Sequence, residues 1–90
     1  MQEHSKQSLH LLKILSKIIY NMRNKKRLSI NKLAYEYGLE KSTLSVLEKG
    51  IREPKFLTLW KLSEALGIKL SELIKIIQDE LDDDFTLIDM

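Results

Sequence analysis

The stretch from residue 29 to residue 50, SINKLAYEYGLEKSTLSVLEKG, constrains the fold more than any other part of the chain. It holds two short runs of helical apolar periodicity, separated by Gly38 and closed by Gly50. Leu33 and Ala34 fall on the inward side of the first run, and Ala34 is small enough for a close helix crossing. Gly38 supplies the positive φ that a sharp helix-to-helix turn requires. Leu39, Leu44 and Leu47 then anchor the second run from beneath. A second helix held out from a bundle by a tight turn is the physical device that reads DNA in the major groove. An ordinary αα-hairpin inside a bundle satisfies the same spacing, so at this point both readings stand.

Composition narrows the choice. Ninety residues, of which 43% are apolar, suffice for one small core without staples. With no cysteine there is no disulfide framework, thiolate nucleophile or cysteine zinc site. No apolar run approaches the length of a membrane span, and the first residues lack the apolar core of a signal peptide, so a cytoplasmic protein is expected. The net charge of +2 conceals an asymmetry: residues 1–55 carry twelve Lys/Arg against five Asp/Glu, and residues 56–90 carry three against eight. A basic front half suits a polyanion, because each neutralised phosphate releases condensed counterions.

The periodicity predicts an all-α chain. Leu12, Leu15, Ile18, Ile19 and Met22 mark a long first helix from about Ser8 to Asn24, followed by a loop at Lys25, Lys26 and Arg27. Ser29 is placed to cap a second helix through Tyr37, and a third runs from Lys41 to Lys49 and stops at Gly50. Pro54 forbids helix in Ile51–Leu57, so Thr58 is expected to cap a fourth helix, Leu59–Leu66, ended by Gly67. Leu70, Leu73, Ile74 and Ile77 mark a fifth. The division is a helix-turn-helix domain over residues 1–81, its motif at 29–50, and an acidic and apolar tail over 82–90.

On the third helix, Leu44, Leu47 and Glu48 lie at i, i+3 and i+4 and share the inward face, where an unpaired carboxylate costs several kcal/mol. Ser42, Ser45, Val46 and Lys49 share the opposite face, with Lys41 beside them. Short hydroxyls donate to or accept from base edges, and a valine touches a thymine methyl. A solvated helix face is the bland alternative, set against a hinge that pushes this face outward.

The chain resembles the lambda-repressor-like, or Xre-type, helix-turn-helix regulators from about Leu15 to Ile74. The likeness is carried by Met22-Arg23, Leu28-Ser29, Leu33-Ala34, Tyr37-Gly38-Leu39 and Ser42-Thr43-Leu44-Ser45. It continues through Leu47-Glu48-Lys49-Gly50, Arg52-Glu53-Pro54, Thr58-Leu59, Ala65-Leu66-Gly67-Ile68, Leu70, Glu72 and Leu73. Each piece is weak, whereas the ordered set is specific. The resemblance implies a compact five-helix bundle whose third helix enters the major groove, and homodimers on palindromic operators. It places base reading on Lys41, Ser42 and Val46, with Thr43 and Ser45 nearby, and phosphate contact on Ile30 and Lys49. Arg52 and Lys55 are added from charge. It also implies an ion pair between Arg23 and Glu48 that ties the first helix to the third. Three positions depart from the pattern: Ile30 stands where glutamine is usual, and Glu40 and Lys69 stand where serine is usual. At Ser29 and Ile30 only the helix N-terminal backbone is left to meet phosphate.

Other chemistry finds no support in the residues. His4 and His10 have no carboxylate at ligand spacing, and Asp79, Glu80, Asp82, Asp83 and Asp84 lack the alternation and glycine of a calcium loop, so neither a metal nor a cofactor is expected. Phe56 and Trp60 are expected in the core. Ile77 and Leu81, with the tail's Phe85, Leu87, Ile88 and Met90, are left seeking cover. The first two and Phe85, Leu87 and Ile88 are therefore expected to form a dimer interface that sets paired reading helices about 34 Å apart. The tail also admits a different class of function, a protein-interaction module or an antitoxin of the same fold, in which it grips another protein. The preferred reading is a non-enzymatic, sequence-specific DNA-binding regulator, a homodimeric repressor of double-stranded DNA targets.

Overall fold

A computed structural model describes residues 5–88. Among them are five helices and no strand: α1 (Lys6–Lys25), α2 (Ile30–Tyr37), α3 (Lys41–Glu48), α4 (Phe56–Ala65) and α5 (Leu70–Asp79). The expected all-α five-helix bundle is therefore present. The Ser5 hydroxyl caps α1 by accepting from the Ser8 N–H at 3.1 Å, and the Ser29 hydroxyl caps α2 by accepting from Lys32 N–H at 3.0 Å. Each satisfies one of the orphan donors that every helix start leaves. Gly38 closes α2 in the left-handed region at φ 66°, and the Leu39 N–H returns to the Ala34 carbonyl at 3.0 Å.

One core joins all five helices. Ile19 from α1, Leu33 from α2, Leu44 from α3, Leu62 from α4 and Leu73 from α5 are each fully buried. Leu15, Ala34, Leu47, Ala65, Leu66 and Ile77 complete it. Gly50, at φ 71°, ends the α3 segment against α1, where a Cβ would meet the Lys13 Cα at 3.3 Å and the Ser16 hydroxyl at 3.0 Å. A glycine is needed there for space as well as for conformation.

Three sequence expectations need correction. Thr58 does not cap α4: the helix begins at Phe56 with Lys55 as its N-cap, and the Lys55 carbonyl accepts the Leu59 N–H at 2.9 Å. Proline disfavours helix in the residue before it and cannot sit in a helix interior, but nothing stops a helix from starting just after it, so α4 begins two residues after Pro54. Phe56 and Trp60 are not in the core but 63% and 47% exposed, stacked edge to face with centroids 5.8 Å apart. The buried row of α4 runs through Leu62, Ser63, Ala65 and Leu66, and the two aromatics sit on the next row round. Finally, Ile77 is 6% exposed within the single chain, so it is core rather than free interface.

The tail turns back on its own subunit. The Phe85 N–H donates to the Asp82 carbonyl at 3.0 Å, closing a turn that sets the half-buried Phe85 ring 6.2 Å from His10 of α1. Leu81 is half-buried against the core, while Leu87 and Ile88 are exposed. His4 and Met90 lie outside the described residues.

Candidate nucleic-acid interface

α3 is held from behind by two leucines and one charged residue. Leu44 and Leu47 plug it into the core, and Glu48 reaches across to α1. The Arg23 guanidinium donates to both Glu48 oxygens, Nε to Oε2 at 2.7 Å and a terminal nitrogen to Oε1 at 2.8 Å. Its remaining terminal nitrogen donates to the Leu28 carbonyl at 2.7 Å. Both side chains are nine-tenths buried, and the guanidinium carbon lies 5.5 Å from the centre of the Tyr20 ring. The hydrogen bond to Glu48 pushes the Arg23 pKa further above its ordinary value, against the opposing pull of burial, so the charge persists at every pH the fold meets. The ion pair expected between these residues is thus bidentate, and the same guanidinium also fixes the turn leading into α2. That third contact leaves no trace in sequence, because its acceptor is a backbone carbonyl.

The opposite face of α3 is open. Lys41, Ser42 and Lys49 are exposed, and Thr43, Ser45 and Val46 are half-buried. Ser42, Thr43 and Val46 border a shallow depression of about 140 Å³ whose far wall is Arg52, Glu53 and Pro54. Arg52 and Lys55, both exposed, flank that wall, so cations stand at the end of α3 and just beyond it. On the other side, the Lys61 ammonium reaches the Gly38 carbonyl at 3.4 Å and ties α4 to the hinge. Glu40, the N-cap of α3, makes no side-chain cap, consistent with a glutamate where serine is usual.

Ser29 is exposed at the start of α2, whereas Ile30 is half-buried and packs on the core. The Ile30 side chain is therefore turned away from any phosphate. What remains is the backbone, with the positive end of the helix dipole behind it. Of the residues expected at an interface, Ser42, Thr43, Val46 and Arg52 border one depression, Lys41, Ser45 and Lys49 lie on α3 or at its end, and Ser29 and Ile30 stand apart at the start of α2. Those expected at a dimer contact divide: Ile77 is buried, Leu81 and Phe85 are half-buried, and Leu87 and Ile88 are exposed. Besides Leu87 and Ile88, α4 and α5 expose Phe56, Leu57, Trp60, Ile74 and Ile76, of which Phe56, Trp60 and Ile74 were expected to pack inward.

A short helix fixed at its back, open and polar at its front, and preceded by a helix and a left-handed glycine turn defines a helix-turn-helix domain of the DNA-binding class. The chain belongs to the HTH_3 helix-turn-helix family, whose pattern matches residues 19–73. It is similar to the HTH-type transcriptional regulator SlrR of Bacillus subtilis (strain 168), with 41% identity over 61 residues, 67% of this chain and 40% of that protein. The chain thus spans about two fifths of that relative's length. Among solved structures, an HTH_3 family transcriptional regulator from Vibrio cholerae superposes with a TM-score of 0.68 at 25% identity, over 76% of this chain and 38% of its own. A mutant of the restriction-modification controller protein C.Esp1396I superposes with a TM-score of 0.71 at 22% identity, over 87% of this chain and 94% of its own, a likeness of fold. Regulators of this family bind DNA and are not enzymes. Among the described residues no helix is long and apolar enough to cross a membrane.

Proposed function

We propose that this chain is a sequence-specific transcriptional repressor that binds a palindromic operator as a homodimer, with α3 in the major groove. Lys41, Ser42, Thr43, Ser45 and Val46 face the bases. The backbone at Ser29 and Ile30, with the side chains of Lys49, Arg52 and Lys55, meets the phosphates. The carrying observation is the α3 front: hydroxyls and one valine bordered by cations, on a helix whose back is locked by Arg23 and Glu48. Selection of bound duplexes from a random pool tests it. Val46→Ala should change the selected base at one position per half-site, worth about 1–3 kcal/mol of discrimination. Lys49→Ala should weaken all sequences alike and flatten the salt slope. An unchanged motif for Val46→Ala beside an altered one for Lys49→Ala overturns the face assignment.

For the dimer, α5 offers better surface than the tail. Its outward ridge, Ile74 and Gln78, separates two depressions, one of about 740 Å³ beside Trp60, Ile68 and Leu70 and one of about 620 Å³ beside Leu59, Leu81 and Phe85. A ridge flanked by grooves is self-complementary under a two-fold axis, the ridge of one copy entering the groove of the other. The interface we propose therefore centres on Ile74 and Trp60, with Leu81, Leu87 and Ile88 at its edge. Sedimentation of the intact chain checks it: Trp60→Ser should leave a folded monomer. A Trp60→Ser variant that still dimerises returns the contact to the tail, and a monomeric parent chain favours the reading in which the tail grips a different protein.

A further inference from the structure

α1 carries a face that reading α3 does not use. Its twenty residues include Lys6, Lys13, Lys17, Arg23 and Lys25 and no aspartate or glutamate. Arg23 is turned inward and neutralised by Glu48. The others lie on the solvent side, where Lys13 and Lys17, four apart, share one row with Asn24 and all are exposed. On α2 and α5 a lysine has a carboxylate partner four residues on, Lys32 with Glu36 at 3.9 Å and Lys75 with Asp79 at 3.0 Å, whereas Lys41 of α3 has no such partner and Lys61 of α4 meets only the Gly38 carbonyl. Among the described residues no carboxylate pairs with Lys13 or Lys17. A face kept only for solubility has no reason to exclude acids, and mixed signs serve solubility better.

The position of this row is as informative as its charge. Gly50, directly after the α3 C-cap Lys49, is pressed onto α1 so closely that a Cβ would lie 3.3 Å from the Lys13 Cα. Lys49, Lys13 and Lys17 therefore follow one another across the joint between the two helices. We infer that the outer face of α1 is a second phosphate-binding track, which takes the DNA backbone flanking the segment read by α3. The inference rests on the DNA-reading proposal above and extends it: α3 reads bases, and α1 lengthens the contact without reading any. Such a track adds affinity that depends on salt and on duplex length but not on flanking sequence.

The probes are the duplex selected with the intact chain, cut to end at the selected motif, and the same duplex lengthened by one helical turn at each end. The longer duplex should bind more tightly and with a steeper salt dependence. Lys13→Gln with Lys17→Gln should abolish that gain and lower the salt slope on the long duplex by about 1–2, while leaving the short duplex and the melting curve unchanged. Equal salt slopes for the two duplexes in the parent chain overturn the track and leave the α3 reading intact. Failure to select any motif removes the α3 reading itself. Lysine-dependent binding to anionic phospholipid vesicles, with no length effect on DNA, also overturns the track and makes the face a membrane-surface contact.

Discussion

The segments before and after Gly50 share one core but show different exteriors. In α1–α3 the outward surface is mainly polar and basic, its exposed large hydrophobic side chains being Leu9 and three tyrosines, Tyr20, Tyr35 and Tyr37. Two of three helix starts there are capped by serine hydroxyls, and a bidentate ion pair fixes the helix crossing. In α4–α5 neither N-cap lysine supplies an acceptor, and only Glu72 compensates, its carboxylate accepting the Lys69 N–H at 3.1 Å. The outward surface there exposes Phe56, Leu57, Trp60, Ile74 and Ile76. Burial is equally complete in both segments: Leu33 and Leu44 in one and Leu62 and Leu73 in the other are wholly buried. The buried face therefore says only that a helix belongs to the bundle. What a helix meets outside is written on the face that packing leaves alone, richer in cations and tyrosines in front and in aliphatic and large aromatic side chains behind.

Breaking the front lock should have the largest effect. Arg23→Ala strands the Glu48 carboxylate and should cost about 3–5 kcal/mol in denaturant melts, whereas Arg23→Met with Glu48→Leu should recover much of the loss. Small, equal and additive losses for single changes at either residue would put the front on the same footing as the rear. Next come the two glycines of the reading unit. Gly38→Ala should cost about 1–2 kcal/mol, the strain of a left-handed residue with open space around it. Gly50→Ala should exceed that, because its obstacle includes the Lys13 backbone, which has nowhere to retreat. A reversed order would mean that α3 is not pressed onto α1.

The rear should respond in the other direction. Lys55→Ser supplies the missing cap of α4 and should stabilise by about 1 kcal/mol, while Ser29→Ala in front should lose a similar amount. Smallest of all, Phe56→Ser should shift single-chain stability by no more than about 0.5 kcal/mol, since its ring is largely in water. A large loss there would show that the aromatic pair is structural and that the contrast between the two exteriors is overdrawn.

The front was the more legible half because its signals are local. Ser29, Gly38 and Gly50 each act on backbone within a few residues, so their types alone locate both ends of α2 and the end of α3. At α4 the local rule pointed to Thr58 as the cap, but proline in the preceding loop allowed an earlier start, and Thr58 became the third helical residue. Phe56 and Trp60 were placed inside because hydropathy reports what a side chain prefers, not which row the remaining helices leave uncovered. Ile77 failed the opposite way: with Leu70, Leu73 and Leu81 it continues the stripe that one subunit buries. The fold of the tail onto His10 joins residues 75 positions apart, and nothing near either announces the other. On α3 the helical period alone placed Leu44 and Leu47 inward and Lys41, Ser42 and Lys49 outward, and the structure has them so.

If α3 reads DNA as proposed, the guanidinium of Arg23 also bears on the thermodynamics of binding. By joining α1, α3 and the turn into α2 through three hydrogen bonds, it sets the α3 surface in place within the folded subunit itself. Association then orders side chains at the contact but folds no new backbone. The heat-capacity change measured by titration calorimetry should accordingly match the apolar area covered at the interface, without the larger negative excess that accompanies coupled folding. Loosening that one residue would shift part of the folding enthalpy into the binding step, so a change buried in the core would surface as an altered temperature dependence of affinity.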